Sequence, residues 1–132
     1  MARFGLKQLL FVLGLFFVFG AASGTQAQGV FGALSIASDG AYGYSYNYGD
    51  IEQAQDLAMK ECAKHAKDCQ IVRVFQNTCV VLVRDLKLNP PLTSWVSGYT
   101  AEERSRRALR NCRDGGGNSC EIAGEFCTGK AR

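Results

Sequence analysis

The chain has 132 residues, of which 47% are hydrophobic and 20% charged. That length holds one ordinary domain and excludes two large ones, and the apolar fraction excludes a wholly disordered chain. Fifteen basic against twelve acidic residues give a net charge of +3, and Arg3 and Lys7 contribute two of those basic residues within the first 27. The remainder is close to neutral, which argues against nucleic-acid binding through bulk electrostatics.

Residues 1–27 read as an export signal. Arg3 and Lys7 form a basic start, Leu9–Ala22 is an uncharged apolar run, and Thr25-Gln26-Ala27 fits a small-x-small cleavage pattern. A helical run of 14 residues reaches about 21 Å, short of the ~30 Å hydrocarbon core, so cleavage near Ala27 is expected rather than a stable membrane anchor. The cleaved protein is then periplasmic or secreted.

The next two segments, Val30–Ala37 and Ala41–Tyr48, flank Asp39-Gly40 and predict a β-hairpin. A helix follows over roughly 51–65. Asp50 stands at its N-cap with Gln53 three residues on, and Ile51, Ala54, Ala58 and Cys62 form an apolar stripe. Cys69–Gln76 is the next strand. The pattern then starts again: strands over Cys79–Leu86 and Thr93–Gly98 flank a loop containing Pro90 and Pro91, and a helix over 101–113 opens on Thr100 with Glu103 three later. Its stripe is Ala101, Ser105, Ala108, Leu109 and Cys112, and a last strand runs from Cys120 to Phe126. A shift of 50 residues lays Cys62 on Cys112 and Asp50 on Thr100. The chain is thus an α+β domain of two tandem β-β-α-β units, about 29–78 and 79–128, sharing one core with a largely antiparallel sheet.

Six cysteines in an exported chain favour disulfides over metal ligands. No Cys-x-x-Cys pair occurs and His65 is the sole histidine, so neither a metal nor another cofactor is expected. Equivalent cysteines in a duplicated chain should play equivalent parts. Cys62–Cys69 and Cys112–Cys120 would each close a helix-to-strand turn, leaving Cys79–Cys127 to tie the halves together.

Ala41-Tyr-Gly-Tyr-Ser-Tyr-Asn-Tyr48, the helical Ala58 and Cys62, then Cys69, Val72, Phe75, Asn77 and Cys79, followed by a second helix-Cys-loop-Cys-strand-Cys, resemble one known family. It is the bacterial exported family called domain of unknown function 4189, and the resemblance covers about residues 30–128. A proline loop and a single Trp95 stand where that family usually has a short glycine turn and a Trp-x-Trp strand. The resemblance implies export and disulfides, and it implies no particular activity.

Two groups of side chains are candidates for binding. Tyr42, Tyr44, Tyr46 and Tyr48 alternate with small residues, which places all four rings on one face of a strand, as a stacking platform or as core. On the second helix Arg106, Arg110 and Arg113 share a face away from the apolar stripe, although Glu102 and Glu103 precede Arg106 and Arg107 by four and favour salt-paired, solvated side chains. His65, near Glu61 and Asp68, could in principle serve as a base, and no nucleophile motif accompanies it. The expected function is a non-enzymatic interaction module of the envelope or secretome whose partner is a protein or envelope component. The alternatives are a small envelope hydrolase using His65 or a carboxylate, and a purely structural envelope protein.

Overall fold

The computed structural model describes residues 29–130, so the signal segment read above lies outside the described residues. The elements are β1 (Phe31–Ile36), β2 (Tyr42–Tyr48), α1 (Ile51–Ala63), β3 (Gln70–Gln76), β4 (Cys79–Asp85), β5 (Leu92–Ser97), α2 (Ala101–Asp114) and β6 (Glu121–Cys127). They form two antiparallel three-stranded sheets, ordered β2-β1-β3 and β5-β4-β6. Each β-β-α-β unit makes one sheet, with its first strand in the centre.

Local chemistry sets the element ends. Asp50 accepts from the Gln53 N–H and the Thr100 hydroxyl from the Glu103 N–H, so each helix begins on a side-chain oxygen. The first hairpin closes through a three-residue loop: Ala37 N–H donates to Ala41 O, Gly40 N–H to Ala37 O, and Gly40 holds φ +80°. A left-handed residue at that place suits glycine.

The central strands alternate between two buried faces. Leu34 and Ile36 of β1 meet Val80 and Leu82 of β4, together with Phe75 and Phe126, so the two sheets pack face to face. Ala33 lies under α1 with Ala54 and Ala58. Val81 and Val83 lie under α2 with Val96, Ala108 and Cys112. The layers therefore run α1, sheet, sheet, α2. The core expected to be shared is the layer between the sheets, and each helix adds a smaller one.

Three disulfides join Cys62 to Cys69, Cys112 to Cys120 and Cys79 to Cys127. The last does not tie the halves together, contrary to the expectation from sequence. Cys79 and Cys127 face each other in register on β4 and β6, both in the second sheet. The halves are joined instead by the intersheet core and by hydrogen bonds such as Asn47 N–H to Thr128 Oγ1 and Gly129 N–H to Asn47 Oδ1. Ile51, assigned above to the buried stripe, is exposed at the first turn of α1.

Candidate functional site

Strand β2 lies at the edge of its sheet with α1 over one face. Its small residues turn toward the helix. The Ser45 hydroxyl donates to Ala54 O at 2.6 Å, and the Ser35 hydroxyl of β1 donates to Ala58 O at 2.7 Å. A Cβ on Gly43 would stand 2.2 Å from Ala58 O and 2.3 Å from Cys62 N, so the α1 backbone rests directly on this glycine.

The tyrosine rings take the other face, as period-two alternation requires. Tyr42 is half-buried and its hydroxyl donates to Ala123 O. Tyr44 stacks on Phe126 with ring centroids 3.9 Å apart, and Tyr46 follows at 6.1 Å from Tyr44. Tyr44 is 37% exposed and Tyr46 52%. The row thus grades from core at Tyr42 to surface at Tyr46.

Tyr48 departs from the expected row. It packs with Phe31 beside the core layer under α1. The register jumps between Phe31–Tyr48 and Ala33–Ser45, and Asn47 holds φ +60°. This β-bulge inverts the alternation and carries the fourth ring to the helix side.

A groove of about 590 Å³ follows the outer edge of β2. Tyr42, Tyr44 and Tyr46 line one side, Leu57 and Glu61 of α1 with His65 just after it the other, and Arg84 of β4 closes one end. The Arg84 guanidinium lies 4.9 Å from the Tyr42 ring centre and donates to Gly40 O at 2.7 Å. A cation over an aromatic face is held by the ring quadrupole. Glu61 pairs with Lys64 at 2.7 Å, and His65 is exposed just beyond the end of α1. Sequence reasoning did not single out Arg84. The available signal was phase: Arg84 continues the inward series Val80, Leu82 on β4, where a charge is unexpected.

The arginines of α2 are elsewhere. Arg106 and Arg110 are exposed on the far helix, and no α2 residue lines the groove. Arg106 pairs with Glu102 at 3.4 Å and Arg107 with Glu103 at 2.7 Å. Arg104 belongs to none of this surface. It is 1% exposed, donating to Gly98 O at 2.6 Å, Tyr99 O at 2.9 Å and the Glu125 carboxylate. The expected stripe missed it by placing Ser105 and Ala101 on the inner face.

Cys79, Cys127 and Glu125 are the described group with metal-ligand spacing. Its two sulfurs are bonded to each other and offer no thiolate. Among the described residues, no helix is long and apolar enough to cross a membrane. Three disulfides fit a chain that works in an oxidising, extracytoplasmic compartment.

The chain matches the family model described as domain of unknown function (DUF4189) over residues 31–127, and it belongs to that family. Comparisons with curated proteins and with solved structures yield no match.

Proposed function

We propose that this family member is a non-enzymatic interaction module, acting in the periplasm or outside the cell, whose partner is a protein or envelope component that seats in the β2 groove. The observation that carries this reading is the graded tyrosine row opening into the groove. Tyr44 and Tyr46 offer apolar planes with polar tips, the kind of side chain that dominates binding hot spots. The disulfides and the Tyr44–Phe126 stack fix these rings before a partner arrives, which lowers the entropy cost of binding.

The hydrolase alternative centres on the same groove, because His65 and Glu61 both line it. His65 is exposed, and Glu61 is half-buried and engaged by Lys64, which favours a binding wall over a tuned acid–base pair. One assay separates the two. Oxidised protein retains partners from envelope extract, and retention is compared across variants shown by circular dichroism to be folded. Tyr44→Ala with Tyr46→Ala should lower retention at least about tenfold, whereas His65→Ala should leave it unchanged. Loss in His65→Ala alone turns the reading to the hydrolase. Arg106→Ala with Arg110→Ala reports in the same assay on the second candidate face.

A further inference from the structure

We infer that the groove receives the C-terminal end of an extended peptide, added as a fourth strand against β2 with its terminal carboxylate on Arg84. This deepens, and rests on, the groove reading given above.

The backbone of β2 is set for such addition. The Ala37 N–H to Ala41 O bond fixes the phase of the hairpin, so Ser35–Gly43 is a hydrogen-bonding pair. Ile36–Tyr42 and Leu34–Tyr44 are then the intervening pairs, whose β2 residues turn their N–H and C=O groups away from β1. β2 is an edge strand, so those groups face the groove.

Natural edge strands are commonly blunted by charge or proline. Here β3 carries Arg73, β6 carries Glu121 and Glu125, and β5 follows Pro90-Pro91. Tyr42–Tyr48 contains neither a charge nor a proline. Within its own span β5, Leu92–Ser97, likewise lacks both, and of these two open edges β2 is the one that borders the groove. An added strand would alternate its side chains between the Leu57 wall and the Tyr44–Tyr46 wall, the arrangement by which strand addition gains selectivity.

Direction selects the end of the peptide. Every strand pair in this fold is antiparallel. A chain laid antiparallel on β2 finishes beside Tyr42, which is where Arg84 stands. Among the described residues, Gly40 O is the one acceptor of its guanidinium donors, and Glu121, its register neighbour on β6, forms no ion pair with it. The remaining N–H groups suit a planar carboxylate, which a guanidinium can bind through two parallel bonds.

The test uses a displayed library of random octapeptides with free C-termini, and resynthesis of the selected sequences as acid and as amide. The acid should bind at least about tenfold more tightly than the amide. Amidation alters the ligand alone, so a folding defect cannot mimic that loss. Arg84→Gln should weaken the acid to the level of the amide and leave the amide unaffected. Amide exchange at Tyr42 and Tyr44 should slow on binding. Equal binding of acid and amide, or unchanged exchange at these two residues, overturns the inference. Failure to select any peptide overturns it too, and if Tyr44→Ala with Tyr46→Ala still loses the envelope partner, the groove reading stands without it. Retention of that partner by the double variant removes the groove reading itself.

Discussion

Helix α1 rests on glycine and serine, whereas α2 rests on valine. The strand registers define the correspondence: Ser35 pairs with Gly43 where Val83 pairs with Ser94, and Ala33 pairs with Ser45 where Val81 pairs with Val96. In the first half two serine hydroxyls donate to carbonyls of α1, and Ala54 fits between helix and sheet. In the second half Val83 and Val96 supply bulk, and Arg104 occupies the place equivalent to Ala54. The α1 backbone is thereby drawn onto β2, and Leu57, Glu61 and His65 wall the groove along its edge. At the equivalent edge, Trp95 lies under the Arg73 guanidinium at 5.7 Å, and the smaller cavity there, of about 290 Å³, has no lining from α2. One duplicated plan has kept its stability device in both halves and opened a groove in one.

The largest effect should come from removing what the halves have in common. Cys62–Cys69 and Cys112–Cys120 span 7 and 8 residues, and the chain-entropy model assigns each about 2.5 kcal/mol. Cys79–Cys127, spanning 48, is assigned about 4 kcal/mol on the same basis. Those figures rival the ~5–15 kcal/mol net stability of a typical domain. Full reduction should therefore unfold or loosen the protein, seen as a collapse of the thermal midpoint by circular dichroism. An unchanged midpoint would show that the three core layers suffice. Replacing either short-loop pair by alanine should lower stability by similar amounts, because the closed loops are alike.

The second prediction separates the halves. Gly43→Ala places a methyl where the α1 backbone already lies, while Ser94→Ala adds no atom and removes only a half-buried hydroxyl. Gly43→Ala should cost about 3 kcal/mol through overpacking, and Ser94→Ala less than about 1 kcal/mol. Urea denaturation of both variants measures this. Equal losses would mean that the two helices are seated alike.

Much of this comparison was legible in the sequence. The shift of 50 residues, the caps at Asp50 and Thr100 and the apolar stripes locate all eight elements to within about two residues of their observed ends. These are local signals. The flip of Tyr48 was not legible, because the left-handed Asn47 is held by Thr128 and Gly129 about eighty positions along the chain. Arg104 is similar. The duplication maps it onto buried Ala54, but its partner Glu125 sits on β6. Arg84 announced itself by phase alone, and only the stacking of the sheets brings it to the tyrosines. The groove was hidden for that reason: β2 and α1 are neighbours in the chain, but the end that Arg84 closes rests on a contact 44 positions apart in sequence.

The smallest effect concerns a tie that the halves make with opposite polarity. In the first, Asp68 in the loop after α1 accepts from the Ser38 N–H just beyond β1. In the second, Asp85 at the end of β4 accepts from Asn118 and Ser119 in the loop after α2, and from Lys87. The Ser38 hydroxyl and then its N–H hold the Asp68 carboxyl below its ordinary 3.8. The Ser119 N–H, followed by those of Lys87 and Asn118, does the same for Asp85. A carboxyl lowered on folding favours the folded state while ionised. Its contribution is complete above the unfolded value, shrinks as pH falls toward the folded value and is absent below it. Stability should therefore be flat near pH 6 and decline below about pH 4. Asp85→Asn should lower the urea midpoint at pH 6 and reduce the drop between pH 6 and pH 3. Asp68→Asn should do the same to a lesser degree, since Asp68 is exposed and accepts a single backbone bond at 3.2 Å, against three for buried Asp85. If both variants kept the full wild-type drop, the acid limb would belong to other carboxylates, and the two ties would have no part in it.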